Sequence, residues 1–576
     1  MNQYLRAIAI DFDGTLADGG TPAEAALVAI EEIRDQGLRA VLVTGRILDE
    51  LRGVFPSVDR YFDAIVAENG AVISLGDGTS MMSTPVEFEL DDALFRRAVP
   101  FRRGQVLLAT HTGYENEIQE EIHRLGLECQ LVYNRDELMI LPPGVSKGSG
   151  LLRALGSLGI SYHNTIAIGD AENDHSLLGA CEIGVAVANS VDGLKRHADL
   201  VLDKPDGEGV AALLASISHG DGTNLRTDRW QIEIGTYADG RPATIAASQV
   251  NLLITGRSKS GKSFVAGAIA ERLMELGYSV CLIDPEGDYT SLGKLHGVEC
   301  LGSAGQPPDV EQIRRFLVHR FGSVIVDLSL ISTDDQSACT QALLRELAKD
   351  RKSTGLPHWI IVDEAHHALG LPGELTAILQ EGQKGYCLVT YQPQVLERQL
   401  CGAMDYVLAL PGGRRLAGPD PISELERISG ISVEASLTDA GTGYAFLVGL
   451  GNQRDARLLE LAPRRTAHVR HWHKYVQGKL QPWLRFVFRR PDGSSEGTAA
   501  NIQEFCDLLY EVSAEVVAFH AARFDLSRWI RQALQEEQLA GTVRAIEQQF
   551  SASRNASDDI AALRKSIVKE IMKHYG

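Results

Sequence analysis

The sequence predicts an α/β protein with two doubly wound sheets and a smaller, mostly helical unit after them. Short Val/Ile/Ala strands alternate with helical stretches from residue 5 to about 218, as in LRAIAID, TPAEAALVAIEEIRDQG, RAVLVTG, NTIAIGD and IGVAVAN. Repeated strand-helix alternation implies a parallel sheet covered on both faces. The rhythm resumes over 225–463, with strands read in QVNLLITG, SVCLIDP, SVIVDLS, HWIIVDE, YCLVTYQ, YVLALPG and YAFLVG. From 464 to 576 a basic strand region leads into the helical stretches NIQEFCDLLYEVSAEVV and DLSRWIRQALQEEQLAGTVRAIEQQF.

Other boundaries follow from composition. Over about 72–140 the alternation changes character, and a segment this long is too large for a loop, so it reads as an inserted small α/β cap. The polar, glycine-rich His219–Asn224 stretch suits a domain boundary, and the residues from about Ser551 read as a polar, then helical, mobile tail. At 576 residues the chain has room for three or four domains.

The net charge of -20 argues against a surface that binds nucleic acid throughout, while leaving room for a local basic face. No apolar run approaches the roughly 18 residues of a membrane span, and Asp11 interrupts the apolar start. The expectation is a soluble, cytoplasmic protein. Eight scattered cysteines, without a CxxC pair, read as small buried hydrophobes in a reducing compartment.

Chemistry is concentrated at two places. Asp11 ends the AIAI strand, so the fold delivers it to the carboxyl edge of the sheet, and Asp13 follows two residues later. One carboxylate can attack phosphorus while the other protonates the leaving oxygen and later activates water. Asp170, Asn173 and Asp174 in GDAEND offer an oxygen-rich place for Mg²⁺. Thr44, before Gly45 and Arg46, adds a hydroxyl, and Lys147 in GVSKG adds an ammonium for the transferring oxygens.

DFDGT, the VLVT threonine, the SKG lysine and GDAEND, in that order, resemble the four motifs of the haloacid dehalogenase superfamily of phosphatases. The insert between the threonine and lysine motifs resembles the type IIB, Cof-like subgroup, as do Glu68-Asn69-Gly70 and VAVANS. The resemblance implies a Rossmann-like phosphatase core over 1–218, with Asp11 as nucleophile and Asp13 as general acid/base. It further implies Mg²⁺ on Asp11, the Asp13 carbonyl and Asp170 with support from Asp174, and phosphate held by Thr44 and Lys147. Gly45, Asn69 and Asn173 would meet substrate. The short cap resembles those of archaeal-type phosphoglycolate phosphatases, which implies a small phosphomonoester.

The second place is GRSKSGKS, from Gly256 through Ser260 and Gly261 to Lys262 and Ser263, between a strand and a helical stretch. Backbone amides and a helix N-terminus can cradle phosphates there, with Lys262 on the terminal ones and Ser263 on Mg²⁺. WIIVDE supplies Asp363 for that metal and Glu364 to polarise water, and Gln392 ends a later strand as a γ-phosphate sensor. His366 and His367 read as packing or capping residues. With Asp284, Glu286 and Asp288 of LIDPEGDY, these pieces resemble the HerA/FtsK class of ring-forming ATPases over 240–463, which implies ATP, a homo-oligomeric ring and an arginine such as Arg414 or Arg415 from a neighbour.

Between Leu461 and Pro491 the chain carries eight Lys or Arg, three His and no acid. Arg485 and Arg489 would share one strand face and Leu484, Phe486 and Phe488 the other, so the cations read as an exposed edge and the aromatics as core. His471 and His473 lack further ligands at zinc spacing. The leading expectation is therefore a Mg²⁺-dependent phosphatase acting on a small phosphorylated substrate, with an ATPase domain that regulates or assembles it. The alternative is a HerA-like nucleic-acid motor with an accessory phosphatase; neither reading involves a membrane.

Overall fold

The computed structural model describes residues 4–76, 78–220, 225, 227–257, 259–302, 305–369, 382–396, 401–411, 421–430, 443–450, 456–466, 484–534, 536–551 and 556–575. Its first sheet contains β1 (Ala7–Asp11), β2 (Arg39–Val43), β3 (Ala64–Ala67), β4 (Val72–Leu75) and β5 (Gly78–Met81). After the cap, whose strands are β6 to β9, it continues with β10 (Thr165–Gly169), β11 (Ile183–Ala186) and β12 (Leu200–Val201). Across the sheet the order is β12, β11, β10, β1, β2, β3, β4, β5.

The strands β1, β3, β10 and β11 are buried along their whole length, as is β2 after Arg39. Continuous apolar strands need helices on both faces. The Glu24–Asp35 helix meets that need with Ala26, Ala29, Ile30 and Ile33, one stripe at helical spacing. Strand order reverses between β1 and β10, and a doubly wound sheet opens its ligand crevice at such a switch point.

The inserted cap is shorter than the expected 72–140. Residues 72–81 form β4 and β5, which continue the first sheet as an antiparallel hairpin. A tight turn at Glu68–Gly70, with Glu68 and Asn69 at φ 52° and 55°, sends the chain straight back along β3. The cap proper carries β6 (Arg102–Arg103), β7 (Leu108–His111), β8 (Gln130–Asn134) and β9 (Glu137–Leu141), in the order β8, β9, β7, β6. Helices Phe88–Arg96 and Glu115–Leu125 cover that sheet, and Leu90, Leu94, Ile118, Leu138 and Ile140 form its own core.

The second large sheet has β13 (Gln231–Tyr237), β14 (Pro242–Ala246), β15 (Leu252–Gly256), β16 (Val280–Asp284), β17 (Val298–Leu301) and β18 (Ser323–Asp327). It continues with β19 (Trp359–Val362), β20 (Tyr386–Thr390), β21 (Tyr406–Leu410), β22 (Tyr444–Gly449) and β23 (Ala456–Leu461). The order is β14, β13, β23, β22, β21, β15, β20, β19, β16, β18, β17. β21 to β15 through β17 are parallel, whereas β22, β23, β13 and β14 extend the sheet antiparallel. The sequence reading missed β17 and β23 because both are half-exposed, with no continuous apolar run to mark them.

The first two parts meet across a buried polar seam. Tyr162 and His163 both reach the Leu276 carbonyl, at 3.2 and 2.8 Å, and Arg6 donates to the Arg351 carbonyl. Gly277 permits this approach, since a Cβ there would lie 1.9 Å from the Tyr162 hydroxyl. Glu182, fully buried, accepts from His163 Nδ1 at 2.7 Å, from Tyr278 and from Ser248.

In the carboxy-terminal part a hairpin of β24 (Phe486–Arg489) and β25 (Ser495–Ala499) packs under helices, with Phe488, Phe505, Trp529 and Leu563 in one core. As the alternation implies, Phe486 and Phe488 are buried and Arg489 is exposed. The single helix read through residues 501–517 is broken at Val512–Ser513. The expected mobile tail instead contains the Ala556–Tyr575 helix, which buries Ile560, Leu563, Ile567 and Ile571. That 3,4,4 spacing is an amphipathic stripe, so packing orders a segment whose overall polarity suggested a tail. All eight cysteines are free thiols, and Cys300 is exposed and Cys129 half-buried, contrary to the expectation that all are buried. Among the described residues no helix is long and apolar enough to cross a membrane.

Candidate active site

Three strand ends and one helix start build the first site. Asp11 closes β1, Thr44 follows β2, Asp170 follows β10, and Lys147 opens the Lys147–Leu158 helix. Ser146 caps that helix reciprocally with Ser149, which fixes the position of the lysine at its first turn. Glycines let the helix seat deeply. A Cβ at Gly148 would lie 2.3 Å from the Ser176 carbonyl oxygen, and one at Gly150 would lie 2.5 Å from the Gly70 Cα.

Lys147 Nζ bridges Asp11 Oδ1 at 2.5 Å and Asp174 Oδ1 at 2.6 Å, with all three side chains buried. Asp174 Oδ2 accepts from the Asp170 and Ala171 amides, which holds the GDAEND loop in its turn. Asp170 Oδ1 takes the Thr15 hydroxyl at 3.2 Å. Burial, reinforced by Asp174, pushes the Asp11 carboxyl well above the ordinary range, and the same causes push Asp170 up to about 6. Burial alone would lower the Lys147 pKa, but Asp11 and Asp174 reverse that and raise it.

Lys147 thus serves two of the three buried carboxylates, and Asp170 pairs with Arg135 from the cap. Asp11, Asp170 and Asp174 each bring an oxygen within 4.8 Å of the others, an all-oxygen donor set suited to a hard divalent cation. The surplus negative charge and this geometry fit Mg²⁺.

Asp13 stands apart from that trio. Arg46 grips both its oxygens, Nε on Oδ2 at 2.7 Å and Nη2 on Oδ1 at 2.6 Å, while lying over the Phe12 ring. The Thr44 hydroxyl, fully buried, accepts from the Arg46 amide. Asn173 donates to Asn69 at 3.2 Å, and its buried Oδ1 has no hydrogen-bond partner, so an acceptor is left facing inward. Gly45 sits under the cap, where a Cβ would come 3.2 Å from Met139 Sδ.

Sequence reasoning passed over the roles of Glu68, Arg46 and Arg135. The Glu68 carboxylate accepts the amides of Gln105, Val106 and Leu107 at 2.8 to 3.1 Å, tying the core to the cap. Arg135, at the tip of the β8–β9 hairpin, pairs with Asp170. Glu68 and Arg46 had a signal, since each adjoins a quoted motif residue, but Arg135 is 35 residues from its partner and had none.

A second cluster lies at the end of β15. The Lys262–Glu275 helix starts directly after Gly261, at φ +100°, and Lys262 Nζ donates to the Arg257 carbonyl at 3.1 Å. Ser260 Oγ is buried without a hydrogen-bond partner and sits against Gly256, where a Cβ would be 2.6 Å away. Ser263 occupies the second position of the helix. Asp363 accepts from the Tyr289 hydroxyl at 2.7 Å, and Glu364 follows it at φ 46°. Gln392 donates its backbone N–H to Thr390 Oγ1 at 3.0 Å. His366 packs against His367 and edge-on against Tyr391, with its pKa lowered to about 4, by burial first. Glu364, His366 and His367 also offer one ligand atom each within 4.8 Å of one another.

Asp284, at the end of β16 beside β19, is fully buried, and its carboxylate accepts the amides of Glu286, Gly287, Asp288 and Tyr289 and so holds its own loop. Arg414, Arg415, His471 and His473 lie outside the described residues.

Fold and first site together define a phosphate-ester hydrolase with a Rossmann-like core. The family model for haloacid dehalogenase-like hydrolases matches residues 8–99 and 102–214. Phosphoglycolate phosphatase 2 of Saccharolobus solfataricus is 31% identical over 227 residues, 37% of this chain and 93% of that protein. Phosphoglycolate phosphatase of Archaeoglobus fulgidus is 32% identical over 225 residues, 36% of this chain and 95% of that protein. A solved haloacid dehalogenase-like hydrolase from B. subtilis aligns at 20% identity with a TM-score of 0.32, covering 37% of this chain and 99% of its own. Through this amino-terminal part the chain belongs to the haloacid dehalogenase-like hydrolases, with the Cof-like, type IIB arrangement of the cap.

Proposed function

We propose that the first site hydrolyses a small phosphomonoester, phosphoglycolate or a similar compact acid or sugar phosphate, through an aspartyl-phosphate on Asp11. The observation that carries this reading is the Lys147 bridge, which orients Asp11 by one oxygen and leaves the other to attack phosphorus. In the first step the Asp11 oxygen bonds to phosphorus as the ester P–O bond breaks, and Asp13 gives its proton to the departing alkoxide. In the second, Asp13 takes a proton from water, which attacks the same phosphorus and frees Asp11 and inorganic phosphate. Arg46 positions Asp13 for both transfers, and Thr44 and Lys147 hold phosphoryl oxygens. Asp11 and Asp170, with Asp174 behind them, would hold Mg²⁺, which supplies charge neutralisation to the phosphoryl group. The orphaned Asn173 oxygen, Asn69 and Gly45 would line the substrate side.

We further infer that the second cluster binds and hydrolyses ATP. Gly256, Ser260, Gly261, Lys262 and Ser263 form a loop leading into a helix of 14 residues, whose N-terminal amides and dipole suit phosphates. Asp363 and Glu364 at the end of β19 would serve its Mg²⁺ and its attacking water, with Gln392 at the γ-phosphate. The nucleic-acid motor reading is weakened by the basic stretch itself. Arg464 is buried against Glu271 and so is withdrawn from the surface, while Arg465 reaches Glu275 at 2.6 Å in a surface ion pair.

Phosphate release from a panel of phosphomonoesters in Mg²⁺, with Asp11→Asn beside the native chain, tests the first reading. Loss to background is expected, and retained release would remove the nucleophile assignment. Nucleotide binding by Lys262→Ala tests the second; unchanged ATP affinity would remove it.

A further inference from the structure

We propose that Arg135 selects substrates that carry a carboxylate close to the phosphate ester, an inference that rests on the phosphatase reading of the first site. Arg135 and Asp136 form the two-residue connection of the β8–β9 hairpin, in which Asn134 pairs with Glu137. Arg135 takes φ 52°, while Asp136 is not among the positive-φ residues. That pattern is the one in which a two-residue hairpin favours glycine at its first position. An arginine there is costly to the turn, because a left-handed backbone crowds its Cβ. The turn does not ask for it.

The position of the guanidinium explains the choice. From the cap it crosses to the core and pairs with Asp170, and an added Cβ on Gly14 of the catalytic loop would meet it at 2.9 Å. Asp170 and Asp11 bring oxygens within 4.8 Å of each other, so the guanidinium stands about one small substrate away from the nucleophile. Its side chain is 56% exposed, so the guanidinium donors that Asp170 does not take remain open to solvent.

The other arginines nearby are committed elsewhere. Arg46 gives a bidentate pair to Asp13, Arg102 joins Glu50 and Glu137, and Arg103 joins Asp91. Among the described cap residues, Arg135 is the cation that reaches a catalytic carboxylate. A planar guanidinium matches a carboxylate in two parallel hydrogen bonds, so a substrate carboxylate can take the place that Asp170 holds on it.

The test compares 2-phosphoglycolate with ethyl phosphate, which has a methyl group in place of the carboxylate. The native chain, Arg135→Lys and Arg135→Gly are assayed for kcat/KM on both; the glycine variant suits the turn and therefore folds. The expected result is that the preference for 2-phosphoglycolate falls at least about tenfold in Arg135→Gly, with partial retention in Arg135→Lys. A preference that stays within twofold, while both rates fall together, would overturn the proposal, because Arg135 would then serve only to neutralise Asp170. A native chain that hydrolyses neither ester while releasing phosphate from other phosphomonoesters would overturn this proposal alone, and one that releases phosphate from none of them would overturn the phosphatase reading as well.

Discussion

Tyr278 donates its hydroxyl to Glu182 Oε2 at 2.9 Å, and that bond joins the rear ends of two helices that begin at different sites. The His175–Ala180 helix starts next to Asp174 and leads to Glu182, and the Lys262–Glu275 helix leads to Tyr278. The His163 ring stacks on Tyr278 at 3.6 Å and donates to the same carboxylate oxygen.

Removing Glu182 should uncouple the two parts. Glu182→Ala strands His163, Tyr278 and Ser248 in a buried seam, and breaking a buried charged network costs on the order of 3 kcal/mol. Calorimetry should then resolve two transitions where the native chain gives a more cooperative one. An unchanged melting profile would show that the seam contributes nothing to cooperativity.

Glu68 should set how firmly the cap sits. Glu68→Ala leaves the Gln105, Val106 and Leu107 amides without their acceptor, at roughly 1 to 3 kcal/mol for the group. Hydrogen exchange at these three amides should accelerate while exchange in β1 stays slow. Protection equal to the native chain would refute the tether.

Lys147 depends on close helix seating. Gly148→Ala forces a Cβ against the Ser176 carbonyl, and overpacking of this kind costs about 1 to 3 kcal/mol. Both the melting temperature and phosphate release should fall, the latter because Lys147 leaves Asp11. Full activity in a folded Gly148→Ala chain would contradict this account.

Acid should weaken the seam through His358. Its Nδ1 accepts from the Ser279 amide and its Nε2 faces Asn164 Oδ1, so the neutral ring donates through Nε2. Burial, aided by His163 and Arg351, holds its pKa well below 6.5. A base whose folded pKa is depressed gives stability that is complete above the unfolded value and lost as pH falls toward the folded one. Denaturant midpoints should therefore drop as pH is lowered from about 7 to 5, and less so in His358→Gln. Equal slopes in both would exclude His358 as the cause.

Without nucleotide, Mg²⁺ should raise the melting temperature by binding the three-carboxylate cluster, in proportion to the logarithm of its concentration above Kd. Asp170→Asn should abolish most of that rise. An unaltered rise would place the ion elsewhere.

The legible parts of this protein were those in which chemistry and local structure coincide. Asp11, Lys147, Asp170 and Asp174 each sit at a strand end or helix start, so residue type and flanking pattern pointed to the same place. The half-exposed strands β17 and β23 carry no apolar run, and β4 looked like cap because nothing local distinguishes a returning hairpin from a new unit. Arg135 and Glu182 act through partners that only the folded chain brings near. Asp284 carries a role of this kind too, since its carboxylate holds the amides of its own loop, which no motif announces.

Arg464 lies flat on the Lys262–Glu275 helix, close enough that a Cβ on Gly267 would be 2.7 Å from its Cζ, while the amides of Arg465 and Thr466 bind Glu271. The chain leading to the carboxy-terminal part is thus clamped to the middle of that helix rather than hung from the end of a strand. The same Glu271 that anchors this connection belongs to the helix that begins at Lys262, so that helix carries the start of the link as well as the loop before it.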